Sequence, residues 1–146
     1  KSPPDVILSM GVTHGQAQVE ERPENHLGAA PDGNNQMMTD RKVREGGADE
    51  LKTDLPVETI DWALQGFGAE RQVFTSKSDP NYQPDRSAYL CNFLGYNLAS
   101  EFGATPKTTA GFMHITPDTK PDQMGAVLDA ITAKQLEARR AGFPHS

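Results

Sequence analysis

Apolar and polar positions along this chain follow two periods, and each switch between them marks an element. Val6-Ile7-Leu8 is a short apolar run that passes through Ser9-Met10 into Gly11. That pattern predicts a buried, parallel-type strand ending in a glycine turn. Gln16-Ala17-Gln18-Val19-Glu20 alternates with period 2, so a second strand is expected there. With Ala17 and Val19 facing a core, Glu20 shares the side of Gln16 and Gln18. From 28 to 54 the character changes to a long polar loop, with room for a short hairpin and only Met37, Met38, Val43 and Leu51 as large apolar residues. Loops of this length are usually functional or disordered.

Helical spacing then takes over. Val57, Ile60, Leu64 and Phe67 form one stripe, with Pro56 suited to the first turn and Gly66 and Gly68 flanking the end. Arg71 to Thr75 is a third short strand. Asp85 is placed to cap a second helix that runs through Cys91 to Phe102 and stops at Gly103. Its apolar face is expected to hold Cys91, Leu94, Leu98 and Phe102. Gly111 to Ile115 is a fourth strand, with Phe112 and His114 on one side and Met113 and Ile115 on the other. Thr119-Lys120-Pro121-Asp122 has capping spacing and opens a last helix carrying Met124, Val127, Leu128 and Ile131. Arg139 and Arg140 close it, where the helix dipole favours positive charge. Strands alternating with helices in this way predict a layered α/β fold, and residues 1–146 read as one domain.

Composition narrows the function classes. At 36% apolar and 23% charged residues, with no long apolar run, the chain is neither a membrane span nor a coiled coil. A net charge of −6, from 14 basic and 20 acidic residues, argues against a nucleic-acid partner, because a phosphate backbone would be repelled. The single cysteine, Cys91, fits a reducing compartment such as the cytoplasm. Lys1-Ser2-Pro3-Pro4 is an unusual opening, expected of a piece of a longer protein. Gly11 and Gly15 lack the Lys-Ser/Thr of a phosphate loop, and His14, His26 and His145 have no metal-ligand spacing. No cofactor or metal is expected.

Three residues carry candidate chemistry. Cys91 lies early in its helix, where backbone N–H groups and the helix dipole favour a thiolate; the same helical face would equally suit a small core residue. His114, near the end of a strand, is either a base or a hydrogen-bonded structural residue. Glu20 or Glu21 closes the second strand, as an orienting carboxylate or as a solvated strand end.

Ala88-Tyr89-Leu90-Cys91-Asn92-Phe93-Leu94-Gly95-Tyr96 resembles the nucleophile segment of pyroglutamyl peptidase I (pyrrolidone-carboxylate peptidase), a cysteine peptidase family with Tyr-Val-Cys-Asn there. Ala110-Gly111-Phe112-Met113-His114-Ile115 is similar to its Gly-Phe-Ile-His segment. Pro4 to Gly11 resembles a family strand, and Asp54-Leu55-Pro56 its Thr-Leu-Pro helix start. Val19-Glu20 with Asn25 matches the family's glutamate and the asparagine five residues after it; Glu21-Arg22 matches its Glu-Arg dipeptide but breaks the strand alternation. Two family features have no counterpart: an arginine, where Gly28-Ala29-Ala30-Pro31 stands, and the N-terminal strand with its Gly-Phe-Glu-Pro-Phe-Gly-type loop.

The resemblance implies a three-layer α/β/α sandwich with a mixed, mostly parallel sheet that lacks its N-terminal strand and loop. It implies a Cys91/His114/Glu20 triad removing an N-terminal pyroglutamyl residue from peptides, with Tyr89 and Leu90 lining the substrate pocket. The alternative is a catalytically inactive or differently specific relative acting as a binding domain. The missing N-terminal segment as a separate chain and a homo-oligomer are the partners this resemblance leaves open, besides the peptide substrate.

Overall fold

The computed structural model describes residues 2, 4–14, 17–28, 34–36, 42–67, 73–75, 90–105 and 107–142. Its elements run in the order β1 (Val6–Val12), β2 (Ala17–Val19), α1 (Val57–Gln65), β3 (Val73–Thr75), α2 (Leu90–Phe102), β4 (Thr109–Ile115) and α3 (Pro121–Gly142). Four strands form one mixed sheet in the order β1-β4-β2-β3. β1 runs parallel to β4, β2 antiparallel to β4, and β3 parallel to β2.

Residues 109–113 of β4 are buried, and the strand's alternation sends its side chains into two different layers. On one face Met113 joins Val19, Leu55, Val57, Ile60, Leu64, Val127 and Ile131 in the main core, with Leu8 and Ile115 packed against it. Both α1 and α3 cover this face. The spacing Val57, Ile60, Asp61, Leu64 turns one stripe of α1 inward, and the Asp61 carboxylate accepts a 2.9 Å bond from Gln65 Nε2. The other face of β4 carries Phe112 and His114 and packs against α2. Helices on both faces of the sheet make the three-layer α/β/α arrangement expected from the sequence.

Several details differ from the sequence pattern. Pro56 is the N-cap of α1 rather than part of its first turn, and Phe67 lies beyond the helix at 48% exposure. In α3, Thr119 is not the cap: its hydroxyl accepts the Thr116 N–H at 3.0 Å. The Lys120 N–H is instead taken by Gln123 Oε1 at 2.8 Å, the reciprocal half of a capping box moved one residue on. Leu128 is exposed, because Val127, Ala130 and Ile131 already fill the inward stripe. Asp85 and residues 71–72 lie outside the described residues.

Within the 28–54 stretch, residues 42–54 are built into the fold. Backbone bonds from Asn25 N–H to Asp49, Leu51 N–H to Pro23 and Thr53 N–H to Glu21 pair 21–25 antiparallel with 49–53. Asn25, buried, donates from Nδ2 to the carbonyls of Arg44 (2.8 Å) and Gly47 (3.1 Å) and accepts the Arg44 N–H. The Tyr96 hydroxyl of α2 donates to Ala48 O at 2.7 Å. This polar stretch is thus held by side-chain amides and a phenol rather than by apolar packing. Among the described residues, no helix is long and apolar enough to cross a membrane.

Gly111 of β4 marks the closest approach of the 53–55 segment to the sheet. A Cβ there would lie 2.5 Å from Leu55 Cδ1 and 2.6 Å from Leu55 Cγ. Gly111→Ala should therefore lower the urea unfolding free energy by about 1–3 kcal/mol, the usual cost of overpacking a close-packed interior. An unchanged urea midpoint would contradict this packing.

Candidate active site

Glu20 and His114 reach the same layer from neighbouring strands. Gln18 pairs with His114 and Val19 with Met113, so the next residue along, Glu20, stands beside Phe112, whose carbonyl accepts the Glu20 N–H at 3.1 Å. With Val19 turned into the main core, the period of 2 sends Glu20 to the opposite face, toward α2. Its carboxylate Oε1 lies 3.9 Å from His114 Nδ1, and the Glu20 side chain is 7% exposed. Glu21 turns away. It lines an open cleft of about 420 Å³ with Thr53, Leu55 and Lys134. Of the two adjacent glutamates, the geometry brings Glu20 to the histidine.

The imidazole is fixed from three sides. Phe112 meets it edge-on, with ring centroids 5.1 Å apart at 71°. On β1, Gly11 is the register partner of His114, and a Cβ at Gly11 would lie 3.0 Å from Phe112 Cζ and 3.6 Å from His114 Cδ2. A side chain at Gly11 would thus press on the Phe112 ring, while its distance to the imidazole is that of ordinary contact. At 3.9 Å the Glu20 carboxylate is beyond hydrogen-bond reach, and His114 Nδ1 is buried with no hydrogen-bond partner. Burial pulls the imidazole below its ordinary value of 6.5.

Cys91 is the second residue of α2 and is half-buried. The buried stripe of this helix is Asn92, Gly95, Tyr96 and Ala99, not the Cys91, Leu94, Leu98, Phe102 face that hydrophobicity suggests. The polar groups of Asn92 and Tyr96 find partners in the loops they bury against, and the missing side chain of Gly95 admits Glu20. The apolar stripe is left at the margin, and Cys91 with it. Cys91 is therefore not a core residue. Burial raises the thiol above its ordinary value, the Glu20 charge raises it further, and a hydrogen bond from the residue's own backbone N–H opposes them. The thiolate stabilisation expected at a helix start is present as that N–H bond, but desolvation and the carboxylate outweigh it. At neutral pH the resting site holds a protonated thiol and a neutral imidazole.

Leu90, first residue of α2, is 59% exposed beside Cys91. Tyr89 lies outside the described residues, as do Ala29 to Pro31, part of the stretch where the family's arginine would fall. Two residues escape a reading based on catalytic residue types, Asn92 and Gly95. Apart from the place of Asn92 in the match to Tyr-Val-Cys-Asn, their sequence signal is a polar residue and a glycine at i and i+3 within an apolar helix. Among the described residues, no group of three or more His, Cys, Asp or Glu side chains is arranged to hold a metal ion.

Glu20 and His114 thus lie on the sheet face that is covered by α2, the helix that carries Cys91. The fold gives the more particular likeness. No family model and no curated protein matches the chain, but solved structures do, and they are pyroglutamyl and pyrrolidone carboxyl peptidases. Pyroglutamyl peptidase I from Bacillus amyloliquefaciens is 22% identical with a TM-score of 0.67, over 90% of this chain and 66% of that one. Pyrrolidone carboxyl peptidase from Thermococcus litoralis is 20% identical with a TM-score of 0.64, over 96% of this chain and 69% of that one. The enzyme from Pyrococcus furiosus is 19% identical with a TM-score of 0.65, over 92% and 70%. The chain has the fold of these peptidases and spans about two thirds of their length.

The lowered imidazole gives a stability prediction with a definite sign. Below pH 6.5 the unfolded chain takes up a proton at His114 that the folded chain resists. This contribution is whole above 6.5 and is lost progressively as the pH falls. Melting temperature should therefore drop more steeply between pH 6.5 and 5 in the wild type than in His114→Gln. Parallel melting curves for the two proteins would refute the assignment.

Proposed function

We propose that this chain carries the catalytic groups of a pyroglutamyl-peptidase-type cysteine hydrolase. The observation that carries the reading is the Glu20 carboxylate standing 3.9 Å from His114 Nδ1, under the helix that opens with Cys91. With Nδ1 turned toward Glu20, Nε2 is the nitrogen left to exchange protons with the substrate side.

In this mechanism Cys91 Sγ attacks the carbonyl carbon of the amide that follows an N-terminal pyroglutamyl residue, and the thiol proton passes to His114 Nε2. The imidazolium is stabilised by Glu20. It then returns the proton to the departing amine nitrogen as the C–N bond breaks, leaving a thioester. Water adds to the thioester, its proton passes to His114, the C–S bond breaks, and the thiol is restored. Backbone N–H groups at the start of α2 hold the oxyanion. Because thiol and imidazole both rest neutral, the nucleophile is made by proton transfer during attack. Catalytic hydrogen bonds are commonly long before substrate binds and tighten on binding, so the open Glu20–His114 spacing suits an unliganded site.

Leu90 and Tyr89 flank the pocket in this reading. The third of the matched structures without a counterpart here is where we place the remaining wall, carried by a longer chain or by a separate one.

The raised thiol and the unpaired Nδ1 favour a second reading, a domain that binds pyroglutamyl peptides without cleaving them. Turnover of a pyroglutamyl amide of a fluorescent amine separates the two. In the first reading Cys91→Ala abolishes turnover, and Glu20→Gln reduces kcat by roughly 10–100-fold while KM changes little. Undiminished turnover in Cys91→Ala sinks the cysteine mechanism. Saturable binding with no turnover in the wild type establishes the second reading.

Alkylation of Cys91 by iodoacetamide reads the electrostatics directly, since the chain has no other thiol. Glu20 raises the thiol, so Glu20→Gln should shift the alkylation midpoint to lower pH. No shift would place the carboxylate too far away to act on the site.

A further inference from the structure

Asn92, next to the candidate nucleophile, is 3% exposed, and every polar position of its amide is used. Its Oδ1 accepts the Glu24 N–H at 2.7 Å. Its Nδ2 donates one hydrogen to Glu24 O at 2.9 Å and the other to His26 O at 3.0 Å. One acceptor and two donors on a planar amide meet one N–H and two carbonyls of the chain that leaves Glu20. Asp has the shape without the donors, and Leu has neither. One turn along α2, a Cβ on Gly95 would lie 3.3 Å from Glu20 Cβ and 3.5 Å from Pro23 Cβ, so the same segment is pressed against the helix there.

We propose that Asn92 is a positioning residue: its buried amide fixes the segment that carries Glu20 to the first turn of the helix that presents Cys91. The inference rests on the reading of Cys91, His114 and Glu20 as the reacting set. Glu20 comes from the end of β2 and Cys91 from α2, and no backbone ladder joins these two elements. In their place the three bonds of Asn92 set the distance of the thiol from the carboxylate and imidazole that the sheet pairing holds together. A chain end freed to move by about an ångström costs on the order of 100-fold in rate at a site of this kind.

The charged group that acts on the thiol from a packed element is Glu20 at the end of β2; His114 lies on the sheet face that α2 covers, and Glu24 and His26 belong to the held segment. In Asn92→Ala that segment is released and the Glu20 charge draws away from Cys91. The iodoacetamide midpoint should then move to lower pH. Turnover of the pyroglutamyl amide should lose on the order of 100-fold in kcat, with KM within about threefold. Asn92→Ser, which keeps one hydroxyl, should recover part of both effects.

A folded Asn92→Ala with an unshifted midpoint and wild-type kcat overturns the proposal, leaving Asn92 a purely structural residue. Hydrogen exchange of the wild type gives a measurement independent of any variant. The Glu24 amide should be as protected as the hydrogen-bonded amides in the middle of α2, and exchange at the rate of an open loop overturns the proposal equally. The midpoint and the exchange rate need no turnover. Activity surviving in Cys91→Ala would therefore overturn the peptidase reading and leave the Asn92 measurements standing on their own.

Discussion

Strand β4 is the member on which the two halves of this fold meet. Its position between β1 and β2, with a helical layer on each side, makes every odd and even residue answer to a different core. Met113 goes to the α1–α3 side, and Phe112 and His114 go to the α2 side. A one-residue slip of β4 would exchange the two sets, putting an imidazole in the apolar core and a methionine in the site. The register with β1 and β2 forbids this slip, and the same register sets Glu20 and Gly11 around His114. The site's geometry thus follows from the sheet pairing that holds the fold together.

The electrostatic state of the site follows from that burial. Both reacting groups are partly withdrawn from water, which disfavours the charged form of each. The Glu20 carboxylate, placed to steady an imidazolium, acts against a thiolate at the same time. These tendencies agree on one resting state, thiol and neutral imidazole. In the proposed mechanism a proton moving from sulfur to nitrogen creates a positive charge beside Glu20, so the carboxylate favours the state after transfer on the histidine side and opposes it on the sulfur side.

Much of the architecture was legible because most elements bury apolar residues at regular spacing. The Val57, Ile60, Leu64 stripe, the 6–8 run and the alternation at 17–19 all lie where hydrophobicity puts them. The orientation of α2 was not legible from hydrophobicity, because its buried stripe is Asn92, Gly95, Tyr96 and Ala99. Asn92 and Tyr96 are inside because their polar groups meet specific partners far along the chain, and such matching leaves no period to read. The 42–54 stretch is the same case: Asn25 and Tyr96 hold it, so it looks like open loop by composition and is ordered by hydrogen bonds. Glu20, by contrast, could be singled out by its place one residue beyond Val19. The cap of α3 shifted by one residue because the Thr119 hydroxyl is engaged by the Thr116 N–H behind it, while Gln123 takes the Lys120 N–H.

The pairing of β1 with β4 has a kinetic meaning. β1 is made well before its strand partner β4, and the Thr108 hydroxyl that bonds Pro4 O lies 104 residues away in sequence. Arg139 near the end of α3 pairs with Asp5 across an even longer span. During synthesis the β1–β4 pairing therefore waits until β4 has been made. Closing so long a loop before its contacts form slows folding, and it leaves β1 open to pairing with a neighbour in the interval.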